Sequence, residues 1–130
     1  MLADDNKQLL EYVRELLSAE GCDVVGAVGD GQAAVNAAEE LRPDIVFLDV
    51  SMPVLNGIQV AKRLREANPD AKIVFLSVDK DPDICRAALE TGAVGYVLKP
   101  RLNIDLISAI KLATTGGRFV SPGCELDVDR

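Results

Sequence analysis

Four apolar residues, Ile45-Val46-Phe47-Leu48, run into a single carboxylate, Asp49, and then into the turn chemistry of Ser51-Met52-Pro53 and Asn56-Gly57. A run that is apolar at alternating and intervening positions alike belongs to a strand covered on both faces, as a parallel strand between helical layers is. Asp49 then stands at the carboxyl end of that strand, the edge where open α/β sheets gather ligands and chemistry. The alternative is an acid that merely caps a loop. The rest of the chain has to decide between the two.

Taken in order, Met1-Leu2-Ala3 reads as the end of a strand running into Asp4-Asp5, with Asn6 as the N-cap of a helix over 7–20 that Gly21 stops. A second strand is expected over 23–28, and Gly29-Asp30-Gly31 turns the chain into an Ala-rich helix over 32–41. After the central strand, Gly57 opens a third helix that ends near Asn68-Pro69-Asp70. A fourth strand over 71–77 follows. Asp81 or Pro82 begins a short helix that ends by Gly92. Val94 to Leu98 is a fifth strand, and 103–115 a last amphipathic helix with Leu106, Ile107, Ile110 and Leu112 on its buried side. From Gly116 on, with Ser121-Pro122-Gly123, no periodicity remains and the chain reads as linker.

Strands alternating with helices, and no internal repeat, mean right-handed βαβ crossovers and a doubly wound three-layer (βα)5 fold. The economical strand order is 2-1-3-4-5. It sets the ends of the first and third strands side by side, so Asp4, Asp5 and Asp49 converge.

Composition narrows the chemistry. A chain of 130 residues has room for one domain, and a net charge of −7 leaves no basic stripe for a nucleic-acid backbone. The three cysteines, Cys22, Cys85 and Cys124, are an odd, widely spaced set with no CxxC pair, read as reduced thiols. No apolar run is long enough for a bilayer and no leader is visible, so a cytoplasmic setting is expected. The absence of histidine removes Ser-His-Asp and Cys-His mechanisms. What remains is carboxylates, hydroxyls and lysine.

Carboxylates held together repel one another, by roughly 4 kcal/mol per pair at 4 Å and an effective dielectric near 20. A hard cation with oxygen ligands answers this, and Mg²⁺ suits carboxylates, a backbone carbonyl such as that of Ser51, and a substrate phosphate. The alternative is an acidic patch that holds no metal. Ser77 and Lys99 arrive at the same rim because they too end parallel strands. A carboxylate nucleophile attacking phosphorus places charge on three equatorial oxygens, for which Mg²⁺, the Lys99 ammonium and the Ser77 hydroxyl supply one partner each.

These residues are similar to the motif set of the CheY-like receiver domain of two-component response regulators. The resemblance rests on Asp4-Asp5, Asp49 within Asp-Val-Ser-Met-Pro-Val-Leu-Asn-Gly, Ser77, Tyr96 and Lys99-Pro100, and covers nearly all of the chain. It implies phosphotransfer from a sensor histidine kinase to Asp49 with Mg²⁺ or Mn²⁺, Asp5 ligating directly and Asp4 partly through water. It also implies a cis Lys99-Pro100 peptide. In this reading the chain is a signalling receiver that catalyses only its own phosphorylation and dephosphorylation. The added charge draws Ser77 inward, vacates space for Tyr96, and changes a surface on the fourth helix, fifth strand and fifth helix. Ser51 and Asp79 flank the attacking water's path and, with bulky Val78 next to Ser77 slowing access, are expected to tune lifetime.

Two departures bear on this. The first strand is short for an interior position, which implies a truncated start or a segment exchanged between two molecules. The region through Gly116-Gly117-Arg118-Phe119-Val120-Ser121-Pro122 is similar to the junction in NarL/FixJ (LuxR)-type transcription regulators. Hence the expected division is a receiver over 1–116 and a linker or tail over 117–130, with a helix-turn-helix output domain absent and DNA contacted only through it. A stand-alone signalling receiver is the alternative, and a homodimer is open to either. An aspartate-nucleophile phosphohydrolase is a further one, although Ser51 stands where its second acid is usually found.

Overall fold

The computed structural model describes residues 1–124. Its elements are β1 (Leu2–Ala3), α1 (Lys7–Ala19), β2 (Ala27–Val28), α2 (Gly31–Leu41), β3 (Ile45–Asp49) and α3 (Gly57–Ala67), followed by β4 (Lys72–Ser77), α4 (Pro82–Glu90), β5 (Gly95–Leu98), a 3-10 turn (Lys99–Arg101), α5 (Leu102–Thr114) and β6 (Phe119–Val120). All strand pairs are parallel, in the order β2-β1-β3-β4-β5-β6. The expected order 2-1-3-4-5 therefore holds, extended by one strand.

The alternation along β3 sorts the core into two layers. Val46 and Leu48 pack with Ile73, Phe75 and Tyr96 beneath α2, α3 and α4, while Phe47 packs with Leu2, Val74, Leu76 and Val97 beneath α1 and α5. Both sides of the sheet are thus dry, and burying each such side chain contributes about 1.5–3 kcal/mol. Cys85 and Cys124 are buried thiols in the first of these layers, and all three cysteines are free.

Helix starts follow the sequence signals. Asn6 caps α1 by accepting the Leu9 N–H, Asp30 caps α2, Asn56 and Gln59 form a capping box at α3, and Asp81 caps α4 with Pro82 in its first turn. Among the described residues no helix is long and apolar enough to cross a membrane.

Three expectations need correction. The second strand is Ala27–Val28 rather than 23–28, because its one neighbour pairs only at Leu2 and Ala3 and leaves 23–25 without a ladder. Those residues instead line a cavity of about 360 Å³ with Met1, Leu41, Ile45 and Phe47, at the opposite end of the sheet from the carboxylates. β1 is as short as its sequence suggests, two residues, and Met1 adds contacts to β3: its amino group donates to the Ile45 carbonyl at 2.9 Å and its carbonyl accepts the Phe47 N–H at 2.9 Å.

The Lys99-Pro100 peptide is not cis, since no cis bond occurs among the described residues. Pro100 instead sits in the 3-10 turn, where its fixed φ suits a helical start and its missing N–H costs nothing.

The stretch expected as linker after Gly116 is in part a strand. Gly116 takes a φ of 86°, reversing the chain after α5, and the Phe119 and Ser121 N–H groups donate to the Val94 and Tyr96 carbonyls at 2.9 Å each. A buried polar clasp fixes this strand. Ser121 Oγ donates to Asp105 Oδ2 at 2.7 Å and accepts the Leu98 N–H at 3.0 Å, while Arg101 Nε donates to the same Asp105 oxygen at 2.7 Å. Ser121→Ala would leave a buried N–H and a buried carboxylate oxygen each short of a partner, so urea unfolding should show a loss of about 1–3 kcal/mol. Faster amide exchange at Phe119 and Ser121 should accompany it.

Two glycines make the loop after β3 what it is. A Cβ on Gly57 would lie 2.1 Å from the Asp49 carbonyl oxygen, and one on Gly31 would lie 2.1 Å from the Leu55 carbonyl oxygen, so backbone rests on backbone at both. Gly57→Ala should lower stability by about 1–3 kcal/mol in urea titration, whereas Gly29→Ala should stay within about 0.5 kcal/mol. The contrast follows from the distance of 3.9 Å between a Cβ at Gly29 and the Asp4 carbonyl oxygen, its nearest neighbour.

Candidate functional site

Strand register brings the chemistry to one level. Ala3 pairs with Leu48, Asp49 with Leu76, and Ser77 with Leu98, so Asp4, Asp49, Ser77 and Lys99 all fall at or just past the carboxyl edge of neighbouring strands. A carboxylate oxygen from each of Asp4, Asp5 and Asp49 lies within 4.8 Å of the others. The convergence inferred from topology is therefore present in the side chains.

The two buried acids are held by different contacts. Asp4, 1% exposed, accepts the Asn6 N–H on Oδ1 at 2.9 Å and turns Oδ2 to Lys99 Nζ at 2.8 Å. That oxygen is wholly buried and receives no properly aligned hydrogen bond, so the lysine meets it as a charge rather than as a directed donor. Asp49, 5% exposed, has Lys99 Nζ at 3.3 Å and the Ser51 N–H at 3.3 Å, both on Oδ1. Asp5 is exposed, and among the described residues no ion pair or side-chain hydrogen bond engages it.

Protonation follows from this crowding. Burial, and then the charge of Asp4, push the Asp49 carboxyl above its ordinary range, against the pull of Lys99 and the Ser51 N–H. Burial alone would lower Lys99, but its contacts with Asp4 and Asp49 outweigh that and raise it. One ammonium against three carboxylates leaves the cluster negative. An all-oxygen donor set that stays net negative, with Asp5 exposed at its edge, fits a hard divalent cation.

The loop after Asp49 is pinned from α2. The Gly31 N–H donates to the Pro53 carbonyl at 3.2 Å, and the Leu55 N–H donates to the same oxygen at 2.9 Å across Val54. Val54 takes a φ of 72°, a conformation that costs a β-branched residue about 1–2 kcal/mol, and it is exposed. The sequence reading singled out neither Val54 nor Gly31 as part of the site. The Gly29-Asp30-Gly31 turn was the available signal for the second.

Ser77 is buried at the end of β4, its Oγ accepting the Asp79 N–H at 3.0 Å. Tyr96 lies fully buried on β5 and its hydroxyl donates to the Asp79 carbonyl at 2.8 Å, so the inward place expected for it is already taken in this structure. Burial pushes the Tyr96 phenol up to about 12. Val78 is exposed beside Ser77, Ser51 is exposed beyond Asp49, and Asp79 Oδ1 accepts the Asp81 N–H at 2.9 Å. Pro100 follows Lys99 in the 3-10 turn, with Arg101 paired to Asp105.

Known proteins resemble this chain in sequence and fold. The transcriptional regulatory protein DegU of Brevibacillus brevis is 34% identical over 123 residues, covering 94% of this chain and 52% of the relative. The nitrate/nitrite response regulator NarL of Escherichia coli K12 is 36% identical over 122 residues, covering 93% of this chain and 56% of the relative. The chain thus spans about half the length of these curated relatives. Among solved structures, a LuxR-family two-component response regulator from Aurantimonas sp. SI85-9A1 superposes with a TM-score of 0.90 at 31% identity, over 95% of this chain and 89% of that one. The isolated receiver domain of RcsB from Salmonella enterica serovar Typhimurium, with the phosphomimetic BeF3−, gives 0.87 at 29% identity, over 95% and 92%. Matched by the response regulator receiver domain model along residues 1–111, the chain belongs to that family.

Proposed function

We propose that Asp49 is the phosphoacceptor of a signalling switch, taking a phosphoryl group from a phosphohistidine of a sensor histidine kinase. The observation that carries this reading is Lys99 Nζ set 2.8 Å from Asp4 and 3.3 Å from Asp49 at the level ends of neighbouring strands. A free Asp49 oxygen attacks phosphorus, the P–N bond to the donor imidazole breaks, and an acyl phosphate forms on Asp49 while the nitrogen leaves with the bonding pair. The Lys99 ammonium and the Ser77 hydroxyl each hold one phosphoryl oxygen. Asp5 and Asp49, with the Ser51 carbonyl and with Asp4 through water, would hold Mg²⁺ or Mn²⁺. Asp4 suits the indirect place because its oxygens already face Asn6 and Lys99, whereas Asp5 is exposed. The cation supplies positive charge to neutralise the carboxylates and the transferring group.

The response spreads from Ser77 and Tyr96 to a surface over α4, β5 and α5. Because β6 now borders β5, that surface includes the Phe119–Val120 strand at its edge. The output in this reading runs through a DNA-binding domain, in a cytoplasmic regulator that pairs with a second copy; its transcriptional role is supported by DegU, a transcriptional regulatory protein. RcsB is seen as two dimers bound to two parallel DNAs, which supports the paired form. In this reading the receiver extends past the expected 116 to include β6, and the chain beyond it leads toward the output.

Incubation with phosphoramidate or acetyl phosphate and Mg²⁺ should give a stoichiometric phosphoryl adduct by intact mass. Asp49→Ala or excess EDTA should abolish it. Rapid multiple turnover without an adduct would instead indicate a hydrolase. Val78 lies exposed next to Ser77, where its bulk shields the acyl phosphate from water. Val78→Ala should therefore shorten the adduct's half-life, followed by the same mass measurement over time, and an unchanged half-life would remove Val78 from that role.

A further inference from the structure

A buried cysteine ordinarily serves as a small apolar filler. Here two of them, far apart in sequence, meet. Cys85 lies in α4 and Cys124 in the turn after β6, and both are buried in the same core layer. The Cys85 thiol is hydrogen-bonded to the Cys124 thiol. Cys22 packs in the other layer. The two segments are held with unequal strength. Within α4 the Cys85 N–H donates to the Asp81 carbonyl at 3.0 Å, whereas Cys124 closes a turn in which its N–H reaches the Ser121 carbonyl at 3.2 Å and Gly123 takes a φ of 97°. β6, which leads into that turn, is a two-residue strand at the sheet edge with one neighbour. Short edge elements open at lower cost than packed helices, so Cys124 is the thiol that meets solvent when the segment frays.

We propose that Cys85 and Cys124 form a reversible disulfide when the protein meets a peroxide, and that the bond fastens β6 and the turn after it to α4. When the turn opens, the Cys124 thiolate attacks a peroxide oxygen: the S–O bond forms, the O–O bond breaks and hydroxide leaves, which makes a sulfenic acid. On reclosure the Cys85 sulfur attacks the Cys124 sulfur. The S–S bond forms, the S–O bond breaks, and the Cys85 proton departs with the hydroxyl as water. In sum two thiols are oxidised to one disulfide and one hydrogen peroxide is reduced to two waters.

The division of roles follows from the surroundings. Burial, and then the hydrogen bond with Cys124, hold the Cys85 thiol protonated well above its ordinary range. Cys85 therefore suits the second step, in which its proton leaves with the water, and not the first, which needs a thiolate in solvent. A thiol reductant reverses the bond by exchange once the turn opens again. The inference stands apart from the reading of Asp49.

The test uses Cys22→Ser, which leaves only this pair of thiols. Hydrogen peroxide on the folded protein, followed by N-ethylmaleimide in urea, should give an intact mass lacking two hydrogens and carrying no label, and a Cys85–Cys124 linked peptide after digestion. Dithiothreitol should restore both labels. Amide exchange at Phe119 and Ser121 should slow by about ten-fold or more in the oxidised form, because the cross-link restricts the opening that exchange requires. In the same background Cys85→Ala should stop at a sulfenic acid on Cys124, captured by dimedone. Two labels after peroxide overturn the proposal, as do oxygen gained beyond rescue by dithiothreitol and a disulfide formed only between molecules. Unchanged exchange at Phe119 and Ser121 in the oxidised form overturns the fastening, and a folded Cys85→Ala protein without the Cys124 sulfenic acid overturns the route. Should Cys85→Ala fail to fold, the Cys22→Ser measurements decide alone.

Discussion

The structure depends on one ammonium placed among acids that repel. Asp4 and Asp49 are both buried, and each would be costly to ionise without a partner; Lys99 reaches both from the far side of β4. Its reach is set by backbone, since β5 delivers it into the 3-10 turn at the level where Asp4 and Asp49 end their strands. The contact is incomplete by design of its geometry: Asp4 Oδ2 keeps no aligned donor, Asp5 stays exposed, and the cluster remains negative. A site of this kind attracts a cation and then an anion that the cation and lysine can share.

Positioning is achieved by backbone contact more than by side-chain packing. Gly57 sits against the Asp49 carbonyl and Gly31 against the Leu55 carbonyl, so the loop that follows Asp49 is clamped between two helix starts. Val54 holds a left-handed conformation within that clamp. Strain of this kind persists only where the surroundings fix the backbone, and here both helix N-termini do so.

The parts legible in the sequence were those with a local physical signature. The apolar run of β3, the cap Asn6, the helix start at Asp81-Pro82 and the acids at strand ends needed only period, cap chemistry and a strand order. The convergence of Asp4, Asp5 and Asp49 followed from topology. What escaped was decided by partners far along the chain. Phe119 and Val120 are too few to show a period, and become a strand because Val94 and Tyr96 offer carbonyls and Asp105 waits for Ser121. The stretch over 23–25 has strand-like residues but no ladder to join. The peptide before Pro100 was inferred from resemblance alone, and the 3-10 turn decided otherwise. Tyr96 reads as an ordinary strand aromatic until its hydroxyl is seen on the Asp79 carbonyl.

The sixth strand also decides where the chain leaves the domain. α5 runs against the strands and finishes at the amino side of the sheet; β6, parallel to β5, climbs back and delivers Ser121 and Cys124 to the carboxylate side. Ser121 is bonded there to Leu98, the residue next to Lys99. The outgoing chain is consequently tethered within one residue of the lysine that bridges the acids. The lysine that bridges the acids and the end of the sixth strand are thus joined through a single residue and a single hydrogen bond.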